Sequence, residues 1–119
     1  MKNDDKLIKN TLNKAIDSIN DKKGENIISL KFSSEISSIC DYFLICEATN
    51  IKQAQAISDN IQRTLRTDIQ IRPSHVEGYD TANWILLDYF DIIIHIFLHN
   101  TRDFYGLEKL WADAEMITY

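Results

Sequence analysis

Glycine and proline are scarce in this sequence, which has three glycines and one proline among 119 residues. Gly24, Gly78 and Gly106 are each isolated, so the chain lacks the glycine-rich loop that holds phosphate groups in many nucleotide-binding proteins. Cys40 and Cys46 have no metal-ligand spacing, and on a strand they would share one face as small buried thiols in a reducing compartment. These shortages argue against a phosphate-loop enzyme and against a cysteine-held metal.

Long apolar runs and an excess of positive charge are also missing. No apolar run reaches the roughly 18 residues of a membrane span, and the formal net charge is −5 with a pI of about 5.0. Because phosphates attract basic surfaces, direct nucleic-acid binding is disfavoured and a basic protein is the better partner. Residues 1–6 match neither a secretory signal nor an Arg-rich transit peptide, so we expect a cytoplasmic protein.

The composition is that of one ordinary globular domain over residues 1–119, since 45% of the residues are hydrophobic and 26% are charged. Apolar residues recur at helical spacing in three segments, of which the second and third begin with an asparagine suited to capping. The predicted helices are residues 4–21, residues 50–67 with Asn50 as cap, and residues 100–113 with Asn100 as cap.

Strand patterns lie between these helices. Residues 26–32 alternate, residues 40–46 are almost continuously apolar like a central strand, and a strand near 69–77 should be short, start after Pro73 or lie at an edge. A hairpin follows. With one strand–helix–strand crossover, this order predicts an α/β or α+β domain, in which helices cover a mixed sheet of about five strands.

The hairpin consists of two apolar runs on either side of residues 88–91. If Tyr89 and Phe90 form a two-residue loop, Asp88 lies opposite Asp91, and Trp84 lies opposite His95. Like charges directly opposite one another would repel, and a cation from a partner would relieve that repulsion. The paired aspartates therefore favour a basic partner.

The two faces of the hairpin differ in character. One is wholly aliphatic and should face the core, whereas the other mixes aromatic, acidic and imidazole side chains. An exposed Trp among polar residues is a usual anchor of a protein interface, so the mixed face is a candidate binding surface. The aliphatic set is Ile85, Leu87, Ile92, Ile94, Ile96 and Leu98; the candidate partner-binding residues are Trp84, Asp88, Tyr89, Asp91, His95 and Phe97.

Other aromatic residues of the last third have a simpler interpretation. Phe104 and Trp111 share one stripe of the predicted third helix, and Phe97 lies on the strand before it. Large aromatic side chains at such spacing are usually core residues. We therefore expect these three rings in the core, with Trp84 as the exception.

Two kinds of catalytic or metal chemistry remain as alternatives. Asp41, Asp88 and Asp91 could bind magnesium or transfer protons in a nucleotide-binding or nucleotidyl-transferring enzyme, but three polar residues that end strands are equally ordinary. His95 and His99 have helical spacing on a strand and its end, and no carboxylate completes a known ligand pattern. The sequence predicts no cofactor, no metal and no catalysis.

Five segments, in this order and spacing, resemble the family of ribosomal silencing factors, also called RsfS or Iojap proteins. They cover most of residues 25–113. The segments are Asp41-Tyr42-Phe43-Leu44-Ile45-Cys46, His75-Val76-Glu77-Gly78, Trp84-Ile85-Leu86-Leu87-Asp88-Tyr89, Asp91-Ile92-Ile93-Ile94-His95-Ile96-Phe97 and Arg102-Asp103-Phe104-Tyr105-Gly106-Leu107-Glu108-Lys109-Leu110-Trp111.

The resemblance implies a non-enzymatic factor that binds ribosomal protein fourteen of the large subunit. Such a factor blocks joining with the small subunit and so represses translation under nutrient limitation. The implied fold is a mixed-sheet domain related in shape to nucleotidyltransferases but without their catalytic motif. The resemblance also implies a weak homodimer, and the face with Trp84 and Phe97 would be costly to leave exposed to water. The net charge and the lack of a long apolar run predict no direct nucleic-acid specificity and no membrane association.

Two positions depart from the family pattern. Members commonly have glycine where Phe90 stands, at a tight turn that favours a positive φ, so the turn type and register of the hairpin are open. The small-residue segment after the second strand is here Glu47-Ala48-Thr49-Asn50-Ile51, which changes local chemistry more than fold.

Overall fold

Amphipathic helices and alternating strands follow one another much as the apolar pattern predicts. The computed structural model describes residues 5–32, 40–110 and 114–119. Its elements are α1 Asp5–Asp21, β1 Glu25–Lys31, β2 Tyr42–Ala48, α2 Ile51–Ile69, β3 His75–Glu77, β4 Trp84–Asp88, β5 Ile92–Leu98, α3 His99–Tyr105, α4 Leu107–Leu110 and β6 Glu115–Thr118.

The strands form one mixed sheet in the order β3-β4-β5-β2-β1-β6. The central pair, β2 and β5, is parallel, and the other pairs are antiparallel. The mixed sheet with covering helices is confirmed, but the described residues contain six strands rather than about five. The added strand is β6, in a tail whose sequence carries no clear pattern. As expected, β3 is short, follows Pro73 and lies at an edge.

Helices α1 and α2 pack on one face of the sheet. Both have one apolar stripe, and Asn50 caps α2 by accepting a hydrogen bond from the Gln53 backbone N–H at 2.8 Å. Between the helices and the sheet lies the larger core cluster, which includes all five fully buried members of the aliphatic hairpin face: Ile85, Leu87, Ile92, Ile94 and Ile96. The aliphatic face is therefore confirmed as core, with Leu98 partly buried against it.

A smaller apolar cluster lies on the opposite face of the sheet. Its buried members come from β1, β2, β5 and α4, and Trp84 and Leu86 pack against it in a partly buried state. Phe97 is only 1% exposed, so its predicted place in the core is confirmed. The prediction for Trp111 lies outside the described residues. This second face carries Trp84 and Phe97 of the candidate binding residues.

The hairpin register differs from the prediction by two residues. Asp88 pairs with Ile93, and Trp84 pairs with Phe97, so neither predicted pair, Asp88 with Asp91 or Trp84 with His95, is formed. The predicted Tyr89-Phe90 loop is wrong because the link between β4 and β5 consists of the three residues 89–91, and the Tyr89 N–H donates to the Ile92 carbonyl at 2.9 Å across it. Since side chains alternate with period two, an even shift leaves both predicted faces unchanged.

The tip of this link holds a strained residue. Phe90 has φ +73°, and the Asp91 N–H donates to the Tyr89 carbonyl at 2.9 Å, which is the geometry of a classic γ-turn. Asp88 Oδ1 accepts the Phe90 N–H at 2.9 Å. A side chain in this backbone region costs roughly 1–3 kcal/mol. The turn thus has the conformation that glycine favours and is occupied by phenylalanine.

The predicted third helix is shorter than expected. It begins at His99 after Leu98, with no side-chain cap, so the capping role predicted for Asn100 is wrong. It ends at Gly106, which takes the left-handed conformation with φ +55°. Phe104, in the last turn of this helix, is 83% exposed, so its predicted place in the core is wrong.

The two cysteines lie on opposite faces of the sheet. Cys46 belongs to the cluster under α1 and α2, and Cys40, which precedes β2, belongs to the cluster on the other face. The predicted shared face is wrong because regular alternation begins only at Tyr42. Both thiols are free and buried, and burial raises the pKa of each to about 12.

Among the described residues, no helix combines the length and apolar character needed to cross a bilayer.

Candidate partner-binding site

Trp84 is the centre of the mixed face, but it is only half exposed. Its indole N–H donates to His95 Nδ1 at 3.0 Å, and its ring lies 5.0 Å from the Phe97 ring and 4.5 Å from the Tyr105 ring, between centroids. The expectation of a freely exposed Trp is therefore wrong in part. The indole is already hydrogen-bonded and stacked, and its remaining surface is available to a partner.

His95 supports the tryptophan from below. The side chain is 3% exposed, and burial lowers its pKa to about 3, so the imidazole is neutral at physiological pH. Because Nδ1 accepts the Trp84 N–H, the ring proton is assigned to Nε2. Within the described part of the chain Nε2 has no hydrogen-bond partner. His95 therefore orients Trp84 and does not itself reach a partner.

Two other predicted binding residues are also buried. Phe97 is 1% exposed beneath Trp84, and Tyr89 is 9% exposed in the core cluster under the helices. The Phe97 side chain has no surface left for direct contact, because β5 is covered on both faces, with burial over six consecutive residues. Tyr89 keeps a small surface that lines a cavity of about 380 Å³, so direct contact by Tyr89 stays a prediction.

The aspartates of the predicted site lie at the end of the sheet. Asp88 and Asp91 are half-buried, and His75 Nδ1 lies 4.0 Å from Asp88 Oδ2. The Asp91 carbonyl accepts the N–H groups of Asp41 and Tyr42 at 2.9 and 3.0 Å, which ties the hairpin to β2.

The structure brings together the three aspartates of the enzyme alternative. Asp41 and Asp91 precede the paired residues Tyr42 and Ile92, and Asp88 pairs with Ile93, so the three aspartates lie at one end of the sheet. Burial, first, and then the charges of these aspartates raise the pKa of the Cys40 thiol. Residues 5–32, 40–110 and 114–119 contain no group of three His, Cys, Asp or Glu side chains arranged to hold a metal ion.

The sequence prediction missed an aromatic surface next to Trp84. Tyr105, 48% exposed, packs at a tilt against Trp84, and Phe104 meets Tyr105 edge-on with ring centroids 5.2 Å apart. A shallow cavity of about 270 Å³ opens between these rings and Asn83. Phe104 and Tyr105 lie in the last turn of α3, which ends at Gly106, and this glycine was the available signal of the helix end.

A buried ionic network at the carboxyl ends of β2 and β5 was also missed. Glu47 is 5% exposed, and its carboxylate accepts hydrogen bonds from Arg102 and from Asn26, each at 3.0 Å, and from His99. The bond to Glu47 raises the pKa of His99. Two donors of this network lie on α3, so the network fixes the helix that carries Phe104 and Tyr105.

Comparison with known proteins agrees with this arrangement. Residues 5–119 match the family described as "Ribosomal silencing factor during starvation". The chain is similar to ribosomal silencing factors of Bacillus subtilis, with 39% identity over 91% of the chain and 90% of the relative, and of Halalkalibacterium halodurans, with 38% identity over 87% and 86%.

A crystal structure of a Chromobacterium violaceum protein has the same fold. Its TM-score is 0.83 at 28% sequence identity, and the match covers 88% of this chain and 86% of that one. The family match spans nearly the whole chain, and the two bacterial relatives exceed 30% identity over more than two thirds of it. The chain therefore belongs to the family of ribosomal silencing factors, RsfS.

Proposed function

We propose that this protein binds ribosomal protein fourteen of the large subunit and sterically blocks joining of the small subunit, thereby repressing translation under nutrient limitation. The observation that carries the proposal is the family match over residues 5–119. The proposal includes no catalysis and no cofactor. Action on the ribosome would place the protein in the cytoplasm.

The charge of the molecule supports a protein partner over RNA. The net charge is −5, and three carboxylates gather at the end of the sheet that also carries the hairpin tip. Phosphate groups would be repelled by this surface, whereas a basic ribosomal protein would be attracted to it. An acidic factor would thus bind an RNA-rich particle most easily through a protein of that particle.

The accessible part of the mixed face would make the contact. Trp84, Asp88 and Asp91 keep exposed surface, and Phe104 and Tyr105 extend that surface along α3. His95 and Phe97 would act from underneath by fixing the position of Trp84, whereas Tyr89 lies in the core cluster under the helices. Half-exposed aromatic rings rimmed by charge are the usual centre of an interface.

Co-sedimentation with isolated large subunits tests the proposal. We expect the protein to sediment with large subunits at moderate salt and to reduce the yield of joined ribosomes when small subunits are added. Phe104→Ala is the matched variant, because an 83% exposed ring can be removed with little loss of folding stability. It should weaken binding by roughly tenfold or more. A protein that leaves large subunits in the supernatant and does not affect joining contradicts the proposal.

A weak homodimer also belongs to this proposal. Met116 and Ile117 are exposed on the edge strand β6, which presents apolar side chains and an edge backbone to a second copy. Light scattering over a range of concentrations measures the association. A strict monomer at high concentration would refute it.

A further inference from the structure

Helix α3 is held to the sheet by charge and not by an apolar stripe. Of its seven residues, all within the described part of the chain, Arg102 alone is buried, and Leu98 before the helix provides no side-chain cap. A helix of this length is not stable by itself in water, so its position depends on contacts with the rest of the chain. Because α3 carries Phe104 and Tyr105, whatever fixes this helix also fixes the aromatic surface next to Trp84.

The contacts that fix α3 converge on the buried side chain of Glu47, near the end of β2. One carboxylate oxygen accepts a hydrogen bond from Arg102 Nη1 at 3.0 Å, and the other meets His99 Nδ1. Arg102 also donates to the Asn26 carbonyl, and Asn26 Nδ2 donates to Glu47 at 3.0 Å. One buried carboxylate therefore joins two positions of α3, three residues apart, to β1 and β2.

The two α3 partners of Glu47 differ in whether they can lose their charge. Arg102 is buried and stays protonated at any physiological pH, whereas the His99 side chain is 65% exposed and can titrate. A neutral imidazole can still donate from Nδ1, but it no longer attracts the carboxylate by its charge. Loss of the His99 proton therefore loosens one of the two ties between α3 and β2 and leaves the other in place.

The groups around His99 favour its protonated form. The charged groups come from β1, β2 and α3: Glu25, Glu47, Arg102 and Asp103. The hydrogen bond and charge of Glu47, followed by the other two carboxylates, raise the pKa of His99. On β5, which also packs against α3, the titratable residue is His95, whose buried ring is neutral at physiological pH. Since its pKa is raised, His99 contributes to the fold below its ordinary pKa and loses that contribution as the pH rises through the raised value.

We propose that His99 makes partner binding proton-linked: its protonated ring attracts Glu47 and so fixes α3 in the position from which Phe104 and Tyr105 meet the partner. The inference rests on the proposed function, since the partner is the large ribosomal subunit. It adds that Glu47 and His99 are positioning residues, which act on binding through the aromatic surface. Binding is therefore tighter at the acidic end of the physiological pH range, and repression of translation strengthens as the pH falls.

The pH dependence of binding to isolated large subunits tests the inference. Co-sedimentation at fixed salt is measured between about pH 6 and pH 8 for the unchanged protein and for His99→Gln. Glutamine can donate to Glu47 but does not titrate, and the ratio of the two affinities cancels any titration of the ribosome. The unchanged protein should bind roughly two- to fivefold more tightly than the variant near pH 6 and about equally near pH 8. A ratio that stays constant over this range overturns the inference.

His75→Gln is the matched control. It removes another exposed imidazole from beside a carboxylate, that of Asp88, at the opposite end of the sheet from Glu47. This variant should keep the pH dependence of the unchanged protein. If His75→Gln loses the pH dependence and His99→Gln keeps it, the linked proton belongs to the other end of the sheet and the inference is wrong.

Amide hydrogen exchange of the free protein tests the same linkage without a ribosome. Near pH 6 the amides of residues 99–106 should exchange faster in His99→Gln than in the unchanged protein, and near pH 8 the two proteins should exchange at similar rates. Equal exchange at both pH values removes this inference alone. An unchanged protein that leaves large subunits in the supernatant at every pH removes the proposed function and, with it, the role of His99 in binding.

Discussion

Single residues on the mixed face divide into those that meet solvent and those that hold others in place. The sequence pattern identified the face correctly because alternation along a strand depends only on residue order. It could not show that His95 lies beneath Trp84 and accepts its indole N–H, since that contact depends on the true register of the hairpin. Three of the six predicted contact residues, Tyr89, His95 and Phe97, are accordingly buried.

Replacing Trp84 by alanine should cost folding stability as well as binding. The ring packs on Phe97 and Tyr105 and donates to His95, so its loss leaves a gap and an unpaired imidazole nitrogen. Ile94→Ala, on the face under the helices and 1% exposed, should cost about 2–5 kcal/mol through its cavity. Urea unfolding of both variants measures the two losses. A Trp84→Ala protein as stable as the unchanged chain would contradict these contacts.

Acid should destabilise the protein through His95. Burial lowers its folded pKa to about 3, below the unfolded value of about 6.5. Its neutral form therefore stabilises the fold fully above pH 6.5, and this contribution is lost as the pH falls from about 6.5 towards 3. The loss approaches about 1.4 kcal/mol per pH unit.

His95→Gln keeps an acceptor for Trp84 but does not titrate, so its unfolding free energy should fall less steeply over the same pH range. Chemical unfolding at a series of pH values provides the comparison. His99 does not affect the comparison, because its pKa is raised by Glu47. Its contribution to the free energy of unfolding is therefore lost as the pH rises and not as it falls. Equal acid slopes for the two proteins would be inconsistent with a buried neutral His95.

Helices and strands with unbroken apolar spacing could be predicted from the sequence. The ends of elements that depend on a single residue with positive φ could not. α1, α2, β1 and β2 lie within a few residues of their predicted positions because their apolar spacing is unbroken. The hairpin register and the end of α3 depend on positive φ angles at Phe90 and Gly106. A phenylalanine gives no signal of a left-handed turn, and a single glycine does not by itself end a helical pattern.

Two glycines allow strain and steric clash to be separated. A Cβ atom added at Gly78 would lie 2.1 Å from the Trp84 carbonyl oxygen, whereas one at Gly106 would meet nothing closer than 3.9 Å. Both residues have positive φ. Gly106→Ala should therefore cost only about 1–2 kcal/mol of backbone strain, and Gly78→Ala should cost more because β3 must also move away from β4. Thermal unfolding of the pair tests this; equal costs would contradict the close approach at Gly78.

The whole molecule is acidic, and its proposed partner lies in an RNA-rich particle. Because Asp and Glu outnumber Lys and Arg by 18 to 13, binding to the large subunit should release few counterions. The logarithm of affinity should therefore fall only gently with the logarithm of salt concentration, and protein-free ribosomal RNA should not be retained. Binding assays between low and moderate salt measure the slope. A steep slope, with tight binding to the naked RNA, would indicate direct phosphate contact.

The parallel pairing at the centre of the sheet has a consequence for how the molecule is made. Tyr42 pairs with Ile92, so the two middle strands are separated by roughly fifty residues of chain. During synthesis β2 can pair with β1 at once, but α2, β3 and β4 must be made before its parallel neighbour β5 exists, and α1 and α2 have only an incomplete sheet to cover. Distant pairings of this kind slow folding, because the entropy cost of closing the loop must be met before the strand contacts form. One edge of the apolar strand β2 therefore stays unpaired until β5, which ends at Leu98, has been made, so the folding of this protein depends on the pace of its own translation.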